Sequence, residues 1–140
     1  MSITVERAGS VIPPLNAVLL AGALALFLGA LLSDIAYFRT YEIQWNNFSS
    51  WLLAGGLVIG AFAFLCGIVA LFRSRRRAWP AVYGLLLLAT WVLGFIDALV
   101  HAKDAWATMP AGLVLSVIVV VLACAALWIA FAGMRTGGAS

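Results

Sequence analysis

Charged residues are scarce in this sequence, and their scarcity indicates the class of protein. Asp, Glu, Lys and Arg make up 9% of the 140 residues, whereas hydrophobic residues make up 66%. A soluble domain has about 25% charged and roughly 45–50% apolar residues, so the composition excludes an ordinary soluble fold. It predicts an integral membrane protein with little mass outside the bilayer.

Histidine and cysteine are also rare, which excludes several kinds of self-contained cofactor site. The chain has one histidine, His101, and two cysteines, Cys66 and Cys124, which lie far apart in apolar runs. A structural zinc site needs four clustered ligands, and a b-type haem usually takes two axial ligands from facing helices. We therefore predict no cofactor, and we interpret the cysteines as small packing residues. A disulfide between them is the less favoured alternative.

Catalytic motifs are missing as well. The sequence has no G-x-S-x-G nucleophile turn, H-E-x-x-H pair, P-loop or dinucleotide-binding fingerprint. The net charge of +3 does not indicate nucleic-acid binding, because half of the basic residues are in one short loop. We expect a protein that is not an enzyme and does not bind nucleic acid.

Long apolar runs are what the sequence has in abundance. A membrane-spanning helix needs about 20 mostly apolar residues, and four segments reach that length: residues 15–38, 48–72, 79–100 and 110–134. The first is longer than the core of a signal peptide and has no small-residue cleavage site after it, so we expect it to be retained. We predict an all-α membrane bundle of four helices, forming a single domain over residues 1–140.

The positions of arginine predict how the bundle lies in the membrane. The basic loop RSRRR, between the second and third spans, contains Arg73, Arg75, Arg76 and Arg77, whereas the opposite face has only Arg39 and Lys103. Short basic loops stay in the cytoplasm. We therefore expect this loop and both termini to be cytoplasmic, in a bacterial inner membrane.

Aromatic residues near the span ends agree with this orientation, since amphipathic rings prefer the level of the lipid head groups. The residues expected at the outer interface are Tyr37, Phe38, Tyr41, Trp45, Phe48, Trp51 and Trp106, and those at the inner interface are Phe72 and Trp79.

Small residues recur at intervals of three and four on the first two spans. In lipid, such residues allow helix backbones to approach closely. We predict that these small residues form an antiparallel contact between the two helices. A role of the small residues in dimerisation is the less favoured alternative. The residues are Gly22, Ala25, Gly29 and Ser33 on the first span, and Gly56, Gly60, Ala63 and Gly67 on the second.

Polar residues gather at the predicted outer end of the bundle. Asp34 and Asp97 lie near the ends of the first and third spans, and His101 follows Asp97 by one helical turn. Asp104 is three residues further along, and Asn46 is in the loop after the first span. An ionisable group in a membrane suggests a functional site. Because these residues lie near span ends, we favour a structural role for them. In that role Asp97 faces the bundle and Asp34 bonds to the turn at Asn46. The alternative is a site for a metal ion, a lipid or a protein partner.

Several fragments occur in an order that resembles a known family. They are VIPPLNAVLL, LSDIAYFRT, AGGLVIGAFAFLCGI, the loop ending RAW, and KDAWATMPAGLVLS. In this order the chain resembles the bacterial four-helix membrane proteins catalogued as domain of unknown function 2231. The resemblance implies an inner-membrane protein of uncharacterised activity that retains Asp34, Trp45 and the turn at residues 110–112. Family members often have histidines near the first helix and after the RAW loop. This sequence has Pro13 and Pro80 in those regions and no histidine in either. A haem or metal role of those histidines therefore does not carry over to this chain.

These observations favour a small scaffold or accessory subunit of a membrane complex. Its expected partners are the lipid bilayer and either a second membrane protein or another copy of itself. One alternative is a redox accessory protein that holds haem or quinone together with a partner chain. A small-molecule or ion carrier is less favoured, because no charge lies at mid-membrane and no broken helix is indicated.

Overall fold

The computed structural model describes residues 13–73 and 78–138, which form four long helices and one short helix. These are α1 (Pro14–Thr40), α2 (Ile43–Arg73), α3 (Ala78–His101), α4 (Ala105–Thr108) and α5 (Ala111–Gly138). The segments long and apolar enough to cross a membrane are Pro14–Thr40, Ile43–Arg73, Ala81–His101 and Ala111–Gly133. The predicted all-α membrane bundle of four spanning helices is therefore confirmed.

The connection between α1 and α2 is shorter than the sequence predicts. Only Tyr41 and Glu42 lie between the two helices. Tyr41 adopts a left-handed conformation with φ 54°, and its N–H donates to Tyr37 O at 2.7 Å, which closes α1. The predicted loop around Asn46 was wrong, because these residues form the first turns of α2. Hydropathy detects the apolar part of a helix, whereas this helix begins with polar residues.

The four long helices are arranged in a ring. The packed pairs are α1 with α2, α2 with α3, α3 with α5, and α1 with α5, and the contact between α1 and α2 is the most extensive. Because short connections join successive helices, neighbours run antiparallel. The C-terminal ends of α1 and α3 therefore meet the N-terminal ends of α2 and α5 at one end of the bundle.

Glycine allows the closest approach between α1 and α2. A Cβ atom at Gly56 would lie 2.6 Å from Cε1 of Phe27, a buried residue at the centre of α1. On α1, a Cβ atom at Gly29 would lie 3.2 Å from Leu52. These small residues therefore lie where the two helices meet, although Ala25 is exposed.

The other small residues of α2 contact a different neighbour. Gly60 faces Trp91 of α3, whose indole Nε1 donates to Leu57 O at 3.0 Å. Gly67 lies against Leu87 of α3 and also against Asn16 of α1. The stripe on α2 is thus divided between two helices, instead of serving one contact with α1.

Two predictions about which side chains are buried are wrong. Tyr37 is 2% exposed, and its hydroxyl donates to Ala105 O at 3.0 Å, so it belongs to the core and not to an interfacial belt. Cys124 is exposed on α5 and is not a packing residue, and Cys66 is half-buried; both are free thiols. The other predicted outer aromatic residues are exposed, as is Phe72.

Part of the basic loop lies outside the described residues. Arg73 is exposed at the end of α2. The structure does not describe the side chains of Arg75, Arg76, Arg77 and Trp79.

Candidate functional site

A cluster of buried polar side chains lies at the end of the bundle where α1 and α3 finish. Asp34 comes from α1, Asp97 and His101 from the end of α3, and Ser116 from the second turn of α5. The two carboxyl groups are 0% exposed and His101 is 3% exposed. Ser49 of α2 reaches the same place. Each of the four spanning helices therefore contributes a side chain to this polar cluster.

His101 is held by acceptors on both sides of its ring. Its Nδ1 lies 2.9 Å from the backbone oxygen of Asp97, which can only accept a hydrogen bond, so Nδ1 carries a hydrogen. Its Nε2 lies 2.7 Å from Asp34 Oδ1 and 3.2 Å from Ser49 Oγ. Since the Ser49 hydroxyl donates to Ala30 O at 3.2 Å, its oxygen also faces Nε2 as an acceptor. This arrangement suits an imidazolium with a hydrogen on each nitrogen.

Ser116 joins the two carboxyl groups. Its hydroxyl oxygen is hydrogen-bonded to Asp34 Oδ2 and lies 2.8 Å from Asp97 Oδ2. A hydroxyl group has one hydrogen and can donate it to only one acceptor. The second contact therefore requires a proton on one of the two carboxyl groups, which donates to Ser116 in return.

The hydrogen-bond directions make the cluster neutral as a whole. One imidazolium, one carboxylate and one protonated carboxyl group sum to a charge of zero. Isolated charges are very costly in a medium of low dielectric constant, whereas a paired and hydrogen-bonded set is tolerated. The same reasoning implies that loss of one member is expensive, because it leaves its partners buried without compensation.

Two oxygen atoms in this region have no hydrogen-bond partner. Asp97 Oδ1 lies 3.1 Å from His101 Nδ1, but the hydrogen of that nitrogen points to the backbone oxygen, and Oδ1 remains unpaired. The side-chain oxygen of Asn46, a residue 7% exposed, is also unpaired. Buried acceptors without partners are uncommon and call for an explanation.

A pocket of about 440 Å³ leads from the end of the bundle to the polar cluster. His101 forms part of its wall, and the remaining lining comes from the first turns of α2: Ile43, Gln44, Asn46, Asn47 and Ser50. The imidazole ring is therefore the member of the cluster that lies nearest to the outside.

The start of α5 passes directly against the imidazole. A Cβ atom at Gly112 would lie 2.9 Å from His101 Cε1 and 3.4 Å from its Nε2. Glycine is required at this position because any larger residue would displace the ring. The backbone of α5 at Gly112 therefore packs directly against the His101 ring.

The structure brings together only some of the predicted site residues. Asp34, Asp97 and His101 meet, and Asp34 is bonded to His101 and Ser116 instead of the turn at Asn46. The expectation that Asp104 continues the same helical face was wrong, because α3 ends at His101. Asp104 is exposed, and its Oδ1 accepts from Trp106 N at 3.4 Å at the start of α4.

Ser116 is the functional residue that the sequence reasoning missed. It is the single hydroxyl-bearing residue in the apolar run of residues 111–134, and this isolation was an available signal. Ser116 also follows Gly112 by one helical turn, so the two residues lie on one face of α5.

A family model described as "predicted membrane protein", domain of unknown function 2231, matches residues 13–132 of this chain. The match covers most of the 140 residues, and the chain belongs to this family. No curated protein and no solved structure matches it.

Proposed function

We propose that this member of the domain of unknown function 2231 family is a non-enzymatic membrane protein, acting as a scaffold or accessory subunit of a membrane complex. The supporting observation is that Asp34, Asp97 and His101, which are buried at one end of the described bundle, point inward and bond to one another or to Ser116. A catalytic acid or base must come within hydrogen-bond reach of a substrate. Asp34 and Asp97 are instead fully enclosed.

The surface that the described helices present is apolar, and it is the surface available to partners. Each spanning helix has large exposed side chains within its span, such as Val18 on α1, Phe62 on α2, Leu85 on α3 and Val121 on α5. Such residues suit both lipid and the helices of another membrane protein. The accessory role assigns one of these faces to a protein partner.

The proposed location is a bacterial inner membrane with both termini and the basic loop in the cytoplasm. Arg73, at the exposed end of α2, begins that loop, and an excess of Arg and Lys favours the cytoplasmic side. The polar cluster then lies at the periplasmic end of the bundle.

The redox alternative has less support. A buried b-type haem usually takes two axial ligands from facing helices, and His101 is the single histidine of the chain. We expect the purified protein to show no Soret absorption band.

The carrier alternative also has less support. Asn16, at the other end of α1, and Asp34 are separated by roughly 27 Å of helix at 1.5 Å per residue. Most of the α1 side chains buried between them are apolar, including Leu20, Ala23 and Phe27. The buried hydroxyl of Thr90 on α3 donates to Leu86 O of its own helix. A continuous polar path is not provided by these residues.

Site-specific photo-crosslinking tests the accessory role. A photoreactive amino acid is placed in cells at one exposed position on each spanning helix: Val18, Phe62, Leu85 or Val121. We expect one reproducible protein adduct from one face or two adjacent faces, and none from the others. Val119, which is fully buried on α5, is the matched control for reactions within the chain. Absence of a protein adduct from all four faces would contradict the proposal.

A further inference from the structure

We propose that Asp34, Asp97 and His101 form a binding site for one divalent transition-metal ion such as Zn²⁺. This site is independent of the accessory role, which depends on the lipid-facing surface. An imidazole nitrogen with carboxylate oxygens is a ligand set suited to ions of this class.

The distances between the ligand atoms fit a single ion. One ligand atom from each of the three side chains lies within 4.8 Å of the other two. A point at the centre of such a triangle is at most about 2.8 Å from each atom, and the usual distances from Zn²⁺ to nitrogen or oxygen are about 2.0–2.2 Å. Side-chain movements below about an ångström would therefore complete the coordination.

The ring of His101 is already oriented as a metal ligand. A ligating histidine almost always donates its other ring N–H to a carboxylate, a backbone carbonyl or water. Here Nδ1 donates to the backbone oxygen of Asp97 at 2.9 Å, which leaves Nε2, facing Asp34, as the nitrogen for the ion. Ser116, whose hydroxyl contacts both carboxyl groups, would donate to one of the two carboxylates once the ion is bound.

An unpaired oxygen aimed into the cluster points independently to a bound cation. Asp97 Oδ1 is 0% exposed and has no hydrogen-bond partner, although it lies 3.1 Å from the imidazole. This oxygen faces Nδ1, and rotation of the Asp97 carboxyl group towards Nε2 would let it bind the ion. The unpaired side-chain oxygen of Asn46, on the pocket that reaches His101, offers a weaker oxygen ligand on the way in.

The charges also balance. With a neutral imidazole, two carboxylates and one divalent ion sum to zero, as does the ion-free cluster described above. Binding of the ion therefore releases two protons, one from His101 Nε2 and one from the protonated carboxyl group. Because a net charge buried at membrane depth is costly, a neutral product allows the ion to bind without opening the bundle.

Binding of Co²⁺ and Zn²⁺ to the full chain in detergent tests the proposal. Co²⁺ is the probe because its visible d–d absorption reports the ligands, and Zn²⁺ is added in competition. We expect one Co²⁺ per chain, with nitrogen and oxygen ligation, and complete displacement by Zn²⁺. A cysteine-free variant, Cys66→Ala with Cys124→Ala, should behave in the same way, since neither thiol is part of the cluster. A wild-type protein that is folded and binds no stoichiometric Co²⁺ overturns the proposal without any further variant.

Matched aspartate variants locate the ion. Loss of a residue that hydrogen-bonds to a metal ligand usually weakens binding by about 10- to 100-fold. Ser116→Ala should weaken Zn²⁺ binding within this range. Asp34→Asn, which removes a ligand, should weaken it by more. Asp104→Asn is the control, because Asp104 is an exposed carboxylate three residues beyond His101, and it should bind as the wild type does. Equal affinity of the Asp34 and Asp104 variants would place the ion elsewhere and reject the site. Each variant is first checked for the wild-type elution volume and helical content.

Discussion

His101 and Asp34 are 67 residues apart in the chain, yet Nε2 of one lies 2.7 Å from Oδ1 of the other, and neither side chain is exposed. The pair connects the ends of α1 and α3, which do not follow each other around the ring of helices. Together with Ser116 it joins helices that would otherwise meet through apolar contacts alone. In lipid, apolar contacts provide little drive for association, so the polar cluster is expected to specify how the helices are arranged.

Removal of the histidine should destabilise the bundle strongly. His101→Leu deletes the cationic partner of the carboxyl groups and leaves Asp34 without its donor at Nε2. Breaking a buried ion pair in this way costs about 3–5 kcal/mol. The measurement is thermal or denaturant unfolding in detergent, followed by circular dichroism. Lys103→Leu, an exposed change two residues away, is the control and should lie within about 0.5 kcal/mol of the wild type. Similar stability of both variants would show that the pair is not required for the fold.

Loss of the Ser116 hydroxyl should also be costly, though less so. In Ser116→Ala, the proton that one carboxyl group directs to Ser116 loses its acceptor, and the other carboxyl group loses its donor. A buried polar group left unpaired costs about 1–3 kcal/mol. Thr90→Val is the matched control, because Thr90 is equally buried but its hydroxyl donates only to Leu86 O of its own helix, at 2.7 Å. Unfolding midpoints that fall by the same amount in both variants would argue against a bridging role of Ser116.

Gly112 should tolerate no side chain. In Gly112→Ala the new methyl group would lie 2.9 Å from both His101 Cε1 and Thr108 Cγ2, so the ring and the Thr108 side chain must shift. We expect a loss of stability of about 1–3 kcal/mol, the usual cost of overpacking. Gly84→Ala is the control, since a Cβ atom there meets nothing within 4 Å. Histidine ring resonances in NMR spectra should shift in the Gly112 variant and stay in place in the Gly84 variant; a fixed ring in both would contradict the close contact.

The fold could be predicted from the sequence because each spanning segment is recognised from its own apolar length. The meeting of Asp34 with Asp97 and His101 was partly predictable, since it follows from helices that run in the same direction. Ser116 and the packing of Gly112 against the ring could not be predicted, because they depend on how α5 is rotated about its axis. α5 has apolar residues on all of its faces, so the periodicity of its sequence does not reveal which face turns inward.

The glycines of α2 should differ in how well they tolerate a side chain. Gly56→Ala should destabilise the bundle by about 1–3 kcal/mol, because its Cβ atom would lie 2.6 Å from the ring of Phe27. Gly60→Ala is the control from the same stripe: its Cβ atom would lie 3.6 Å from Trp91, an ordinary contact distance, and alanine also favours the helix by up to about 1 kcal/mol. Unfolding in detergent should therefore separate the two variants, and the opposite order of stabilities would mean that α1 and α2 pack with a different rotation.

The orientation in the membrane can be read from the two ends of α2. Gln44 is in the first turn of this helix, whereas Ser74 directly follows Arg73, its last residue. The helix is roughly 45 Å long at 1.5 Å per residue, which exceeds the thickness of the hydrocarbon core of a bilayer, about 30 Å. The two ends therefore reach opposite sides. In a background without the native cysteines, Gln44→Cys should react in intact cells with a membrane-impermeant maleimide, and Ser74→Cys should react only after the cells are opened. The basic loop predicts this pattern. The reverse pattern would place the polar cluster and the entrance of its pocket on the cytoplasmic side, and any ion that binds there would then come from the cytoplasm.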